Sequence, residues 1–446
     1  MAQARSAFDL QTCARPNILS LQPYRCARDE YKDNGTNILL DANENAYGPG
    51  LTLDSKGRLE NPKSPPGAVN GFHETTVEVD PNLDLRGLNR YPDPHQEDLK
   101  SLLCEMRTTN KAKDRNLSPS NLFLGVGSDE AIDALIRCFC TPGASSILTC
   151  PPTYGMYSVS AVVNDVRVVH VPLQLPSFVP DTQKISDALT ADPSIKLIYL
   201  CSPGNPTGTL IPPSALSSIL SHPTWNGVLV VDEAYIDFAP PGSSFAEWVL
   251  DHPNLVVMQT LSKAFGLAGI RVGAAFTSPP IAHLLNNLKA PYNISAPSAA
   301  LAISALSAQN LAVTHQHISS LQSQRERLLT QLPTIPGIGS FRGGVDANFL
   351  LVEILDRPRP QGGKPSNETA LALYRGLAEQ RGVVVRFRGK EYGCEGCLRV
   401  TVGTAEEVDR LLREVTSTLE QIYAGAEKPV GGEAERQERK ANAVVA

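Results

Sequence analysis

The segment T-L-S-K-A-F-G-L-A-G-I-R-V-G, Thr260 to Gly273, sets Lys263 among small and hydroxyl-bearing neighbours, with Arg271 eight positions on. A lysine amine held in such a place suits a Schiff base with an aldehyde, and a nearby arginine suits a phosphate on the same molecule. Taken alone, the lysine equally fits a solvated surface charge. Partners elsewhere in the chain weigh against that reading. V-L-V-V-D-E-A-Y-I-D-F, Val228 to Phe238, is an apolar run ending in Asp232 and Tyr235. A buried aspartate needs a partner; a cationic ring nitrogen would serve, and a helix N-cap or a structural ion pair is the competing reading.

These residues need elements to position them. The run into Asp232 reads as a buried parallel strand, whose carboxyl end is where α/β sheets bind ligands. K-L-I-Y-L-C-S-P-G-N-P-T-G-T, Lys196 to Thr209, reads as a second buried strand entering a rigid turn, from which Asn205 projects as a donor. The same pattern fits a plain strand-to-helix turn. In L-F-L-G-V-G-S-D-E-A-I-D-A-L-I-R, Leu122 to Arg137, a strand enters a glycine turn and then a helix, with Ser128 and Asp129 at its start. Backbone N–H groups and the helix dipole there favour a phosphate, although the spacing is not that of a dinucleotide site. Tyr154, in C-P-P-T-Y-G-M-Y, follows a proline turn and suits either stacking on a flat ring or ordinary packing.

Together these segments resemble the fold-type I family of pyridoxal-phosphate-dependent aminotransferases, and within it the branch that acts on histidinol phosphate. The similarity runs from about Pro16 to Tyr423; D-E-A-Y-I-x-F, T-L-S-K-A-F-x-L-A-G-x-R and C-L-R-V-T-V-G-T are among its most specific pieces. The resemblance implies an α/β fold: a large, doubly wound, mostly parallel sheet domain with a smaller α/β domain and an N-terminal arm. It implies pyridoxal 5'-phosphate as cofactor, with Lys263, Asp232 and Tyr235 as the catalytic set. Lys263 would join the cofactor's aldehyde and Asp232 would face its pyridinium nitrogen. Asn205 and Tyr235 would hold the phenolic oxygen, and Tyr154 would stack on the ring. Ser128 and Asp129 through their backbone, with Ser262 and Arg271, would hold the phosphate. Tyr91, in N-R-Y-P-D-P, would reach the phosphate of the other subunit's cofactor, which makes a homodimer part of the expectation.

On the substrate side, Arg386 in V-V-V-R-F-R and Arg399 match the family's anion-binding arginines. Arg388 stands two residues from Arg386, so a register slip would exchange them. Tyr24, Asn43, Tyr292 and Asn348 complete the expected pocket. The reaction implied is amino transfer from L-histidinol phosphate to 2-oxoglutarate, giving imidazole-acetol phosphate and L-glutamate, in histidine biosynthesis. A broad-specificity aromatic amino acid aminotransferase and a phosphothreonine decarboxylase of the same fold are the rival enzymes. A binding protein that kept the cofactor without catalysis is the rival of another class.

Three places depart from the family pattern: Ala46 where many relatives carry proline, Gly204 where asparagine is frequent, and the long Pro/Gly-rich stretch from Gly50 to about Leu88, which reads as an inserted surface loop. The expected division is an arm, part of the small domain and the inserted loop over 1–89, a large cofactor domain over 90–300, a small domain over 301–425 and a disordered tail over 426–446.

Composition agrees. The chain has 446 residues, 42% hydrophobic and 19% charged, with a net charge of −6, which argues against nucleic acid or an anionic membrane as a partner. No apolar run nears the ~20 residues of a membrane helix. The N-terminus lacks a secretory core, so a cytoplasmic setting with nine free thiols is expected. Cys394 and Cys397 have C-x-x-C spacing but no second pair follows, so no metal is expected. Strands are expected near Leu122, Ser146, Val166, Leu197, Val228, Val256 and Gly273, then Phe349, Val383 and Leu398, with helices over about Leu311–Leu332 and Ala405–Tyr423.

Overall fold

The computed structural model describes residues 31, 37–48, 50, 51, 91–109 and 116–425. Tyr24, most of the Gly50–Leu88 stretch and the 426–446 tail lie outside the described residues.

In chain order the elements are β1 (Ile38–Leu39), α1 (Glu97–Arg107), β2 (Leu122–Val126), α2 (Gly127–Phe139), β3 (Ser146–Thr149), α3 (Met156–Val163), β4 (Arg167–His170), α4 (Thr182–Ala191), β5 (Ile195–Cys201), α5 (Pro213–Leu220), β6 (Val228–Asp232), β7 (Leu255–Thr260) and β8 (Val272–Thr277). There follow α6 (Pro279–Leu288), α7 (Ala296–Ala305), α8 (Ala308–Gln331), β9 (Ile338–Arg342), β10 (Phe349–Ile354), α9 (Asn367–Gln380), β11 (Val383–Val384), β12 (Arg386–Phe387), β13 (Cys397–Thr401) and α10 (Ala405–Tyr423).

A seven-stranded sheet runs β2-β8-β7-β6-β5-β3-β4. Its strands pair in parallel except β8, which is antiparallel to both neighbours. Helices cover it, so β6, β7 and β8 are buried at every position. Each large aliphatic side chain removed from water there contributes roughly 1.5–3 kcal/mol. That burial on both faces is why these strands read as unbroken apolar runs. α2 buries Ala131, Ile132, Leu135 and Ile136 against the sheet and carries Asp129 and Glu130 in its first turn, where negative charge suits the helix dipole.

A second sheet, β12-β13-β10-β9, is antiparallel throughout. α9 and α10 pack on it, and α10 opens with a reciprocal capping box between Thr404 and Glu407. β1 pairs in parallel with β11. The strands and the two long helices read from sequence are present, with α8 beginning three residues earlier than expected (311 − 308). Three strands were not read separately: β1, only two residues long; β9, whose I-G-S-F-R run is partly exposed and holds a glycine; and β12, which follows β11 after one residue but joins the four-stranded sheet while β11 pairs with β1.

Candidate active site

The carboxyl ends of β5, β6 and β7, the first turn of α2, the Asp41–Asn43 segment and the β12–β13 pair enclose a cavity of about 230 Å³. Asp232, the last residue of β6, is only 2% exposed. The Tyr157 hydroxyl donates to its Oδ2 at 2.7 Å, and the Ala234 N–H donates to its Oδ1 at 3.1 Å. Burial lifts its carboxyl to about 6, against the pull of the Tyr157 hydrogen bond. Tyr157 is itself held by stacking on Tyr199, with ring centroids 4.8 Å apart.

Lys263 lies in the loop after β7 and donates from Nζ to the Ala42 carbonyl at 3.0 Å. Burial, reinforced by the Arg399 cation, lowers its amine to about 8. In the same loop the Thr260 hydroxyl donates to Ser262 Oγ at 2.9 Å, and Arg271 Nη1 reaches that oxygen at 3.5 Å. Arg271 Nη2 pairs with Asp129 Oδ2 at 3.2 Å, and Tyr154 donates to Asp129 Oδ1 at 3.1 Å. The approach is close: Gly127 has φ +73°, a Cβ there would run into the Arg271 guanidinium, and one on Gly273 would strike the Gly127–Ser128 backbone. Glycine at both positions lets β8 carry Arg271 up to the start of α2.

The opposite wall comes from the second sheet. Arg399 on β13 is buried, with 4% of its surface exposed. Its Nη1 donates to Asn205 Oδ1 at 2.7 Å and its Nη2 to the Asp41 carbonyl at 2.6 Å, while its buried Nε has no acceptor. Burial, then the Arg388 cation, pulls its guanidinium down to about 9. With Oδ1 taken, Asn205 presents its Nδ2 donor. Tyr235 accepts from Asn43 Nδ2 at 2.9 Å, and burial raises its hydroxyl to about 12. Asn43, in a left-handed conformation with φ 56°, also accepts from Thr401 at 2.9 Å and is braced by Asn348 through its carbonyl at 3.1 Å.

Ser128, Asp129, Tyr154, Asn205, Asp232, Tyr235, Ser262, Lys263, Arg271, Asn43, Arg386 and Arg399 thus meet at one cavity. Asn348 sits behind the lining. Tyr91 and Tyr292 do not reach their own chain's cavity; they stack on each other, centroids 4.5 Å apart, with Tyr91 81% exposed. Among the described residues no group of three or more His, Cys, Asp or Glu side chains gathers as a metal site, and no single helix is long and apolar enough to cross a membrane.

A family profile described as aminotransferase class I and II matches residues 37–415. The chain belongs to the class I and II aminotransferases. Its similarity extends to named relatives: it is 49% identical to a histidinol-phosphate aminotransferase of Schizosaccharomyces pombe, covering 93% of this chain and 99% of that one. The corresponding enzyme of Saccharomyces cerevisiae is 45% identical, covering 92% and 98%. In fold the chain is similar to the crystal structure of histidinol-phosphate aminotransferase from Sinorhizobium meliloti in complex with pyridoxal-5'-phosphate. The TM-score is 0.73 at 22% identity, over 94% of this chain and all of that one.

In this aminotransferase several cavity residues carried no individual signal in the sequence. Tyr157, the donor to Asp232, lies in the first turn of α3, three residues after the non-helical Tyr154, and no pattern in the sequence marks it as Asp232's partner. Asp41 and Ala42 act through backbone carbonyls, which no side-chain pattern announces. Arg388 lines the cavity together with Arg386, so both arginines of V-V-V-R-F-R face it rather than one.

Proposed function

We propose that this aminotransferase moves the amino group of L-histidinol phosphate to 2-oxoglutarate, using pyridoxal 5'-phosphate, and so serves histidine biosynthesis. The observation that carries the reading is the convergence of Lys263 and the buried Asp232 carboxylate on a cavity whose far wall is arginine-rich. The two fungal relatives support the substrate.

The residues fit that cofactor. Asp232 is a buried carboxylate aimed at the cavity, suited to a pyridinium nitrogen. Asn205 Nδ2 and the Tyr235 hydroxyl would hold the phenolic oxygen, and Tyr154 would lie against the ring. The first turn of α2 at Ser128 and Asp129, with Ser262 and Arg271, would take the phosphate. Bound there, the cofactor supplies an aldehyde that condenses with amines and a ring that accepts electrons from the substrate's Cα. With its amine lowered to about 8, Lys263 keeps a neutral fraction near pH 7, so it can take the Cα proton and return it. Arg386 and Arg399 would orient the anionic end of each substrate.

The homodimer belongs to this reading, supported by the exposed Tyr91–Tyr292 stack, a surface from which Tyr91 would complete the other subunit's site. So does the division into large and small domains, supported by the separate seven-stranded and four-stranded sheets. A cytoplasmic setting is supported by the free thiols of all the described cysteines.

The test is a half-reaction. The purified protein with bound cofactor is mixed with L-histidinol phosphate, histidine, phenylalanine or phosphothreonine while the cofactor's visible absorption is followed. Rapid loss with histidinol phosphate, reversed by 2-oxoglutarate, is expected. Faster conversion with phenylalanine would assign the chain to aromatic amino acids instead.

A further inference from the structure

Beside the cavity lies a second one of about 330 Å³, lined by Thr153, Ser158, His170 and Tyr392 among others. Tyr154, Asn205, Arg386 and Arg388 line both, so the two spaces meet at this group. Arg386 pairs with Arg399 in the β12–β13 register, and the Arg388 N–H donates to the Cys397 carbonyl at 2.9 Å, which carries the ladder past the end of β12. Residues two apart on an extended strand project to one face, so Arg386 and Arg388 point the same way. Glu391 holds the Arg388 guanidinium from Nη1 at 2.7 Å, while its Nε is buried with no acceptor.

We propose that Arg388 is a further substrate-binding residue, which takes the phosphate of the phosphate-ester substrate through the part of its guanidinium that Glu391 leaves facing the cavity and so separates that substrate from the dicarboxylic acid. The inference rests on the reading of the substrate given above. A phosphate monoester carries close to two negative charges at pH 7 and three terminal oxygens, whereas a carboxylate carries one charge and two oxygens. One arginine fork satisfies a carboxylate. Arg386 and Arg399 would meet the charge of a phosphate, but Arg399 already donates from Nη1 and Nη2 to Asn205 and Asp41, so a third phosphate oxygen still lacks a donor, and Arg388 lies next along the same face. Glu391 occupies only one edge of Arg388, so it fixes the guanidinium without blocking it. In the substrate-free site the carboxylate also offsets part of the repulsion among three converging arginines.

The experiment compares Arg388→Gln, Arg388→Lys and Glu391→Gln with the wild type in both half-reactions, together with inhibition by inorganic phosphate and the thermal midpoint. Arg388→Gln is expected to raise the half-saturating concentration of L-histidinol phosphate on the order of 10- to 100-fold, the effect of one lost charge-assisted contact, and that of glutamate or 2-oxoglutarate less than about 3-fold. Phosphate inhibition should weaken in parallel, Arg388→Lys should recover part of the loss, and the midpoint should hold. Glu391→Gln should leave phosphate-ester binding equal or tighter. Equal losses for both substrates, or a loss in Glu391→Gln as large as in Arg388→Gln, would overturn the assignment and make the pair structural. A wild type that ignores histidinol phosphate while accepting another amino donor would instead overturn the substrate reading.

Discussion

The two walls of the cavity are built differently. The wall carrying Asp232, Lys263, Ser262 and Arg271 stands on strand ends of one mostly parallel sheet: Asp232 ends β6, Ser262 and Lys263 follow β7 within three residues, and Arg271 directly precedes β8. The wall carrying Arg386, Arg388 and Arg399 belongs to an antiparallel sheet formed later in the chain, and it reaches the cavity by long-range contacts: Arg399 touches Asn205 and Asp41 across 194 and 358 residues. The difference separates two tasks. The first wall presents groups that would handle a fixed cofactor, with ionisation shifted by burial. The second presents cations suited to two different anions in turn, and its selectivity depends on which side chains the register brings forward.

Substitutions on each wall test whether the two work separately. Lys263→Ala removes the amine that would move the proton, and turnover with histidinol phosphate should fall on the order of 10⁴-fold while some cofactor is retained. Steady-state assay with cofactor absorbance reads both, and full turnover would remove Lys263 from the mechanism. Arg399→Ala strikes the other wall and leaves Asn205 Oδ1 and the Asp41 carbonyl without their donor. Half-saturation for both substrates should rise on the order of 10²-fold, with roughly 1–3 kcal/mol of stability lost and the cofactor still bound. Complete cofactor loss would show that the walls do not work separately.

Tyr157→Phe is subtler. The ring stays stacked on Tyr199, but Asp232 Oδ2 loses its donor, so the carboxyl should titrate at higher pH. Cofactor affinity measured by dialysis should fall about 10-fold, the value of one hydrogen bond to a charged group, and the acid limb of the rate profile should move upward in pH. An unmoved limb would make Tyr157 a packing residue only.

The smallest effect concerns stability. In the cofactor-free protein the Asp232 carboxyl keeps its proton up to about 6, whereas the unfolded chain releases it near 3.8. Between these values the folded state binds the extra proton, so this contribution to stability is present at low pH and is lost as pH rises through about 6. Asp232→Asn should therefore gain on the wild type in thermal midpoint from pH 4 to pH 7, by a few degrees. A difference independent of pH would mean that Asp232 does not carry this shift.

Much of the first wall was legible in the sequence. V-L-V-V-D and T-L-S-K state their strand and their reactive group together, because a strand buried on both faces must be apolar throughout, and the polar residue that ends it marks the sheet's edge. Arg399 was legible within its motif. The choice between Arg386 and Arg388 was not: both lie on one face, and only the packing of the second sheet against the first shows that both reach the cavity. The Tyr157–Asp232 bond, the Asn43–Tyr235 bond and the backbone carbonyls of Asp41 and Ala42 were likewise hidden, since each joins residues 75 or more positions apart. Sequence alone determined which elements form and which groups could react, since periodicity and turn chemistry act locally. Tertiary structure decided which groups are partners and how far burial shifts their ionisation, because both depend on distances across two sheets and on the water excluded between them.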